Sequence, residues 1–294
     1  MTQELGRQAG RRRRRISMTD VFVALLLTFI ALIIYIPFHN TLVVSFQTID
    51  GYTLNPGAIY PTHFTLENYI HVLSEGSIQV GYKNSIIVTV VGTMFSMTAS
   101  TLYAFAISRR GMPGRKLLTV FMMVTMYFSG GNIPLFLLFR NLNMIDSLWG
   151  VILYGSVSAY NCLLIRNGFS QIPAALEEAA ELDGADDVTK LVKVILPLMK
   201  PILTTFTLFA IVRLWNEWYW SMLLINDAGK MTLQVVLRSI TFGNYDASVG
   251  DTNRMFATGA KMASLVLTII PIMCVYPYLQ RYFVAGITVG AVKD

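Results

Sequence analysis

The sequence predicts an all-α, polytopic membrane protein with about six transmembrane helices and a helical hairpin on its cytoplasmic side. Of the 294 residues, 54% are hydrophobic and only 14% are charged, which is too apolar for a soluble domain of this length. The apolar residues form runs long enough to cross a bilayer at about 1.5 Å per residue. Lys and Arg collect in short blocks beside these runs, so the net charge of +6 indicates membrane orientation rather than nucleic-acid binding.

The first two spans are predicted from hydropathy and charge. Residues 1–20 form a basic tail that is expected in the cytoplasm, followed by a span over 21–38. No small-residue cleavage site follows this span, so we expect it to be retained rather than removed as a signal peptide. Residues 45–82 contain no Lys or Arg and are predicted to form an outside loop. A second span over 84–107 then leads to an inside loop with four positive charges, Arg109, Arg110, Arg115 and Lys116.

The third span, over 117–139, contains Gly130, Gly131 and Pro134, which predict a break or kink at membrane depth. Freed backbone groups are tolerated there only against protein or a water-filled cavity. Asn132 lies at this break, and Asn161 lies in a fourth span over 147–165 that returns to the inside. Both amides are candidates for lining a substrate pathway, although hydrogen bonding between helices explains them equally well.

A segment over 170–201 is predicted to form a bent hairpin of two short amphipathic helices. Pro173 suits a first helical turn, Gly184 suits the left-handed residue that ends a helix, and Asp186 suits the N-cap of the next one. The apolar residues of the second helix recur at helical spacing on one face, opposite Asp187, Lys190 and Lys193. That face comprises Val188, Leu191, Val192 and Ile195.

The remainder of the chain contributes a fifth span to about residue 225, a loop with a helix over 231–240, and a last span over 262–282. A short cytoplasmic tail over 285–294 follows, so that the six-helix permease domain covers 21–284 and both termini lie inside. Cys162 and Cys274 both fall in apolar runs, and neither a disulfide nor a metal site is expected.

Polar residues in the fifth span suggest a substrate pathway. Arg213, Asn216, Glu217 and Trp220 follow helical spacing, which predicts that they share one face. A charge in an apolar span is costly unless it is paired or faces water. Hydroxyl groups of a sugar need donors and acceptors, and sugar rings pack on aromatic faces, so this face suits a sugar pathway. Alternatively, Arg213 and Glu217 form a structural bridge and the tryptophans form an interfacial belt.

The hairpin resembles the EAA loop of the permease subunits of bacterial ATP-binding-cassette importers. The resemblance rests on Glu178-Ala179-Ala180, Asp183-Gly184-Ala185, Ile195-Leu196-Pro197 and Pro201. Within that family the chain is similar to the sugar branch, the maltose-type second permease and its oligosaccharide-carrying relatives. Trp215-Asn216-Glu217-Trp218 resembles a signature of the same branch. The resemblance implies a coupling helix seated in a cleft of an ATPase subunit, with contact residues Leu176, Glu178, Ala179, Ala180, Asp183, Gly184, Ala185 and Leu191.

Two positions depart from the pattern of that family. Leu191 stands where the family usually has an aromatic residue, and we expect it to fill the ATPase cleft less fully. The ending over 286–293 is similar to a tail that reaches toward the ATPase dimer, but Asp294 replaces the usual terminal glycine. An amphipathic hairpin that only lies on the lipid surface is the alternative interpretation of the EAA segment.

The predicted function is carbohydrate import, with an oligosaccharide as cargo, by alternating access in a bacterial cell membrane. The resemblance implies four kinds of partner besides the bilayer: a second homologous permease, two ATP-binding subunits, an extracellular solute-binding protein and the sugar itself. We expect no catalytic residues, no cofactor, no metal and no nucleic acid, because the sequence has no Walker A pattern, His/Cys cluster or Ser-His-Asp set, so that ATP is bound by the partner. Arg213 suits an acidic sugar. An ion-coupled secondary transporter or channel that uses Arg213 and Glu217 as its ion site is the alternative function.

Overall fold

The fold is helical throughout the part of the chain that the computed structural model describes, which is residues 17–109, 111–242, 258–275 and 277. No strand ladder occurs in these ranges, and the predicted all-α class is confirmed. The helices are α1 (Met18–Ser45), α2 (Ile49–Leu54), α3 (Glu67–Ser74), α4 (Gly76–Ser108), α5 (Arg115–Tyr127), α6 (Asn132–Asn141), α7 (Leu148–Tyr154), α8 (Ala159–Phe169), α9 (Ala174–Leu182), α10 (Asp187–Trp215), α11 (Tyr219–Leu224), α12 (Leu233–Phe242) and α13 (Thr258–Val275).

The helices of membrane-spanning length are α1, α4, α10 and α13. Two bent pairs add up to two further spans: α5 with α6 at 115°, and α7 with α8 at 53°. The described residues therefore hold four to six candidate spans, in agreement with the prediction of about six. The first bend falls at Gly130–Gly131, where a break was predicted. The second, after Tyr154, carries no proline and was not predicted.

The centre of the bundle is α4, which packs against α8, α10 and α12. Its buried face is lined by small and hydroxyl-bearing residues, which let helix backbones approach closely in a membrane. At Gly81, an added Cβ would lie 2.9 Å from the Cα of Leu233 in α12, and the Ser85 hydroxyl accepts a 2.8 Å hydrogen bond from the Leu233 amide. The close α4–α12 contact therefore depends on the absence of a side chain at Gly81.

Helix α1 stands apart from this bundle. It begins with a capping box: the side chain of Ser17 accepts a hydrogen bond from the backbone of Asp20, and the side chain of Asp20 accepts one from the backbone amide of Ser17. None of its most apolar 18-residue stretch is buried within the chain, and only its last turn, at Val43–Ser45, reaches the core. A helix that is apolar on all sides needs lipid or protein around it. Its outer surface is therefore covered by something other than the described residues of this chain.

The hairpin's second helix differs from the predicted short element. It is not a separate helix but the first part of α10, which continues through Pro197 and Pro201 to Trp215. A π-helical turn over Lys190–Ile195 comes immediately before the two prolines. Local π adjustments are one way in which membrane helices accommodate proline, which lacks a backbone donor. The basic tail before residue 17 and the tail over 285–294 lie outside the described residues.

Candidate functional site

The predicted turn of the hairpin is a Schellman motif. Gly184 has a φ of +79° and donates to the carbonyl of Glu181 at 2.9 Å, while Ala185 donates to the carbonyl of Ala180 at 2.9 Å. These bonds satisfy the last carbonyls of α9 and reverse the chain at once. Ala180 is buried and Ala185 is half-buried, so both position the turn instead of forming an outer surface. The prediction of a left-handed Gly184 is confirmed.

The start of α10 is also as predicted. Asp186 caps the helix: its Oδ1 accepts a 3.0 Å hydrogen bond from the backbone amide of Thr189. Hydrogen bonds from the Thr189 side chain and backbone lower the pKa of Asp186 below its ordinary value. The cap therefore carries a negative charge at neutral pH, where it also suits the positive end of the helix dipole.

Lys190 joins the two arms of the hairpin. Its Nζ lies 2.7 Å from Glu181 Oε1 of α9 and 2.7 Å from Asp187 Oδ1 of α10, and its side chain is only 11% exposed. Lys190 thus shares a charged face with Asp187, as the sequence predicts, but its ammonium is turned toward α9 and is mostly covered. The π turn that begins at Lys190 has more than 3.6 residues per turn, so it shifts the helical phase of the residues that follow.

Leu191 is a correction to the prediction. The side chain is 7% exposed and packs in a cluster with Ala104 of α4, Ile165 and Phe169 of α8, and Ile195. It is therefore part of the permease core and does not fill a cleft in a partner, as the resemblance implied. The predicted apolar face of α10 is divided in two. Leu191 and Ile195 point inward, whereas Val188 and Val192 remain exposed.

The hairpin surface, as we call its solvent-facing side, combines apolar and acidic groups. Leu182 is 90% exposed, at the C-terminal end of α9. Leu182, Val188 and Val192 were not among the predicted contact residues, and their exposure could be read only from the structure. The hairpin surface consists of Leu176, Glu178, Ala179, Leu182, Asp183, Gly184, Val188 and Val192.

An ion pair ties the hairpin to the centre of the bundle. Arg109, at the C-terminal end of α4, contacts Glu177 of α9, and both side chains are about three-quarters covered, with 28% and 24% exposed. The guanidinium carbon of Arg109 also lies 4.0 Å from the ring centroid of Phe105, a cation–π geometry. Sequence reasoning missed this pair, because its members are 68 residues apart and neither belongs to a local pattern.

The polar residues at the far end of α10 do not share a face, which corrects the prediction. The helix ends at Trp215, residues 216–218 form a turn, and α11 begins at Tyr219. Helical spacing therefore stops before Glu217. The Oε1 of Glu217 accepts a 2.9 Å hydrogen bond from the Trp220 amide and so caps α11. Asn216 donates to the Val212 carbonyl of its own helix at 2.8 Å.

Arg213 binds the break between α7 and α8. Its Nη2 donates to the carbonyl of Gly155, a group that the interruption of the helix leaves without a helical partner. A Cβ added at Gly155 would lie 2.6 Å from Arg213 Nη1, so only glycine leaves room for this approach. Arg213 is therefore bonded to a carbonyl of another span rather than to Glu217, which excludes the simple Arg213–Glu217 bridge as its structural role.

Trp220 is also placed differently from the pathway prediction. Trp220 is 2% exposed and packs on Tyr154, with ring centroids 4.5 Å apart. It therefore stabilises the contact between α11 and α7 and is not open to a passing substrate. Asn161 lies in the first turn of α8, where its backbone amide donates to the Ser158 hydroxyl at 3.4 Å. The side chain of Asn161 is half-buried.

A connected set of exposed and half-buried polar and aromatic side chains remains near this end of α10, and we call it the polar–aromatic strip. Asn132 donates from Nδ2 to the Tyr219 hydroxyl at 2.9 Å, and the Tyr219 and Trp218 rings meet edge to face with centroids 5.6 Å apart. The guanidinium carbon of Arg238 in α12 lies 4.3 Å from the Trp218 ring centroid. The strip thus offers an amide, a phenol, an indole face and a cation, which suit hydroxyls, ring faces and carboxylates.

Tyr219 and Arg238 were missed by sequence reasoning, although Tyr219 directly follows the signature residues. Arg238 lies on a separate helix, and only the fold brings it over Trp218. Within the described part of the chain, no group of three or more His, Cys, Asp or Glu side chains is placed to hold a metal ion.

Comparison with known proteins decides the family. Residues 92–289 match the family described as binding-protein-dependent transport system inner membrane component. The chain belongs to this family. The matched range contains the whole hairpin and the polar–aromatic strip, and the resemblance drawn from the EAA residues is confirmed. The permease is accordingly a multi-pass membrane protein of a binding-protein-dependent transport system.

The permease is similar over almost its full length to curated relatives. It is 36% identical to the polygalacturonan/rhamnogalacturonan transport system permease protein YtcP of Bacillus subtilis (strain 168), over 93% of this chain and 98% of the relative. It is 36% identical to protein LplC of the same strain, over 93% of this chain and 94% of the relative. Neither comparison supports an ion-coupled carrier or a channel.

A solved structure shares the fold. The permease superposes with a TM-score of 0.82 and 31% identity on a chain from the crystal structure of a bacterial ABC transporter involved in the import of the acidic polysaccharide alginate. The match covers 92% of this chain and 98% of the other. The bent helix pairs and the hairpin therefore belong to an importer permease architecture.

Proposed function

We propose that this permease is one of two homologous membrane subunits of an ATP-driven importer in a bacterial cell membrane, and that its cargo is an oligosaccharide, preferentially an acidic one. The observation that carries the proposal is the hairpin surface, an exposed patch of apolar and acidic side chains on a hairpin that is fixed at three points. Gly184 and Asp186 fix its turn, Lys190 joins its arms, and the Arg109–Glu177 pair joins it to α4.

The hairpin surface is the docking site for an ATP-binding subunit. Large exposed side chains such as Leu182 gain by burial in a partner's cleft, about 25 cal/mol per Å² of apolar surface removed from water. A loosely attached hairpin would absorb the partner's movement. The tie through Arg109 passes that movement to α4 instead. ATP itself is bound by the partner, and this permease supplies the moving helices.

Helix α10 connects the two candidate sites. It runs from Asp187, beside the hairpin turn, through the π turn and both prolines to Trp215, beside the polar–aromatic strip. Its 29 residues span about 43 Å at 1.5 Å per residue, which exceeds the hydrocarbon thickness of a bilayer. A continuous helix of this length can transmit a tilt at the hairpin to the opposite side of the membrane. We infer that ATP-driven closure of the partner dimer opens the pathway outward in this way.

The acidic character of the cargo is inferred from two cations at this end of α10, Arg213 and Arg238. YtcP is named for polygalacturonan and rhamnogalacturonan, and the solved importer takes up alginate, an acidic polysaccharide. Arg238 stacks on Trp218, which holds the guanidinium in place and leaves its edge free to donate to a carboxylate. Ring faces of the same sugar pack on the indole.

The remaining partners are inferred from the family and from the unburied surface of α1. The family name implies a solute-binding protein, which delivers the sugar from the outside. The unburied surface of α1 supports a second permease subunit as its neighbour, because α1 reaches the core of its own chain only in its last turn. Two ATP-binding subunits, one for each permease, complete the assembly. We infer that both termini of this chain lie in the cytoplasm, because Lys and Arg collect in the segments predicted to be inside.

The test is uptake into proteoliposomes that contain the permease with its co-purified subunits and binding protein. We expect uptake of uronate oligosaccharides to require ATP inside the vesicle and to continue without an ion gradient. Uptake driven by an ion gradient alone would contradict the proposal. Replacing Arg238 by Gln should lower uptake of uronate substrates by about tenfold relative to neutral ones, corresponding to one lost charge-assisted bond. An unchanged ratio would exclude the acidic-sugar part of the proposal.

A further inference from the structure

A basic cavity lies where the loop after α4 leads into α5. It has a volume of about 840 Å³ and opens beside the first turns of α5 and the C-terminal half of α8. Its lining combines three cationic residues with an apolar wall: Arg115, Lys116 and Arg166, and Leu117, Val120 and Met123. The cavity is separate from both the hairpin surface and the polar–aromatic strip, and the proposed transport function does not use it.

Among the described residues, the three cations have no acidic partners. No carboxylate lines the cavity, and within the described part of the chain none of Arg115, Lys116 and Arg166 forms an ion pair. Arg109, the neighbouring cation, is paired with Glu177. Arg166 donates from Nε to the Ile107 carbonyl at 3.4 Å, which orients the guanidinium and leaves its outer nitrogens for another acceptor. Three gathered positive charges without counter-charge favour an anionic ligand.

The first turn of α5 adds to the same potential. Gly114, its N-cap, has no side chain to accept from the amides of Lys116 and Leu117, so the positive end of the helix dipole is not neutralised by a cap where these residues line the cavity. Phosphate groups bind well at such ends. The helix end alone would not define a site; here it reinforces the three side-chain cations.

The apolar wall identifies the kind of anion. Leu117 is 73% exposed and Val120 is 50% exposed, at successive turns of the same helix face that leads away from the cations. A free phosphate ion would leave this wall in contact with water. A phospholipid would satisfy both parts, because its phosphate meets the cations while its acyl chain covers the wall. Basic pockets at the ends of membrane helices are known to suit such head groups.

We propose that this cavity binds the head group of an anionic phospholipid, and that the bound lipid braces the base of the hairpin. Arg115 lies shortly after Arg109 in the chain, and Arg109 forms the ion pair with Glu177 of the hairpin. The backbone carbonyl of Arg166 accepts hydrogen bonds from the hydroxyl and the amide of Ser170, the first residue of the hairpin segment. A phosphate between Arg115 and Arg166 joins α5 to α8 on the side where the hairpin is attached.

The test measures lipid binding to the full-length permease, alone and in its assembled transporter, by native mass spectrometry in a neutral detergent. The probes are phosphatidylglycerol, phosphatidylcholine, and the soluble anions glycerol phosphate and inorganic phosphate. We expect phosphatidylglycerol to bind at least about tenfold more tightly than phosphatidylcholine, since each basic residue near a head group contributes on the order of a fewfold in affinity. Neither soluble anion should displace it at the same concentration.

Substitutions test whether the preference for phosphatidylglycerol over phosphatidylcholine arises in this cavity. The triple change Arg115→Gln, Lys116→Gln and Arg166→Gln should abolish the preference for phosphatidylglycerol. The matched control changes three exposed cations elsewhere to Gln and should preserve it: Lys83, Arg140 and Lys200. If the triple variant folds poorly by circular dichroism, the single change Lys116→Gln, at an exposed position, should still reduce the preference severalfold.

Three results would overturn the proposal. The first is a lipid preference that survives the triple change, because the preference would then arise elsewhere. The second is equal binding of glycerol phosphate or inorganic phosphate, which would indicate a free-anion site. The third is loss of the preference on assembly with the second permease, which would mean that protein covers the cavity. None of these depends on sugar uptake, so failure here is distinguishable from failure of the proposed function.

Discussion

Arg109 and Glu177 form an ion pair that fastens the hairpin to the central helix of the bundle. This contact gives the most direct path by which movement of α9 reaches α4. Arg109→Gln and Glu177→Gln should each reduce transport while ATP hydrolysis by the partner continues, because the hairpin then moves without α4. The coupling energy from a double-mutant cycle on hairpin stability should be about 1 kcal/mol, as expected for a partly exposed pair.

Uptake and ATP hydrolysis measured on the same preparation test this first prediction. The charge-swapped double variant, Arg109→Glu with Glu177→Arg, should recover part of the lost uptake. Lys193→Gln, an exposed cation on the same hairpin, is the control and should behave as the parent. Strictly additive effects of the two single changes would argue that the pair does not act as a unit.

Leu182 and Leu191 should respond in opposite ways to substitution. Leu182→Ser removes an exposed side chain, so it should weaken co-purification of the ATP-binding subunit with little change in permease stability. Leu191→Ala leaves a cavity in the core and should lower the free energy of unfolding by about 2–5 kcal/mol. Pull-down yield and thermal unfolding in detergent distinguish the two. If the Leu191→Ala protein were as stable as the parent but no longer co-purified with the ATP-binding subunit, Leu191 would have to be counted among the contact residues after all.

Gly184 should tolerate asparagine better than valine. An added Cβ meets nothing within 4 Å, so the cost arises from the left-handed φ of +79° and not from a clash. That cost is about 1–2 kcal/mol for a β-branched residue and less for Asn, which visits the left-handed region more readily. We expect Gly184→Val to abolish uptake while the protein remains in the membrane, and Gly184→Asn to retain part of it. Wild-type uptake by the valine variant would contradict the assigned role.

Gly155→Ala should displace the guanidinium of Arg213 from the carbonyl that it binds. The terminal group of an arginine can move, so the expected result is a lost charge-assisted hydrogen bond of about 1.5–3 kcal/mol rather than misfolding. The effect should be non-additive with Arg213→Gln, since both changes remove the same contact. Gly130→Ala, where an added Cβ meets nothing within 4 Å, is the matched control. Thermal unfolding of the four variants provides the measurement.

The cap at Asp186 should make the start of α10 sensitive to acid. Its folded-state pKa is lowered by hydrogen bonds from Thr189, so its stabilisation is complete above the unfolded value of about 4 and is lost as the pH falls through the folded value. Hydrogen exchange at the Thr189 amide should therefore show protection that falls in acid. Asp186→Asn should keep most of the cap without this pH dependence, and Asp186→Ala should lose the cap. An unchanged acid response in the Asn variant would assign the dependence to another group.

Local chemistry explains which parts of the site were predictable. Gly184 and Asp186 act on the backbone within three residues of themselves, so their roles follow from conformational preference and hydrogen-bonding capacity. The break at Gly130–Gly131 follows for the same reason. The end of α10 after Trp215 was not predictable, because residues 216–218 contain neither glycine nor proline, and Glu217 acts as a cap only where the chain has already left the helix.

The sequence by itself determined that this chain crosses a membrane several times, where its hairpin turns, and to which family it is related. These properties depend on hydropathy, on backbone preference and on a contiguous motif. The tertiary structure alone decided that Leu191 points inward, that Arg213 binds Gly155 and that Arg109 holds Glu177. Each of these contacts joins residues far apart in the chain, and in an apolar surrounding a polar group bonds to whichever partner the packing of other helices brings within reach.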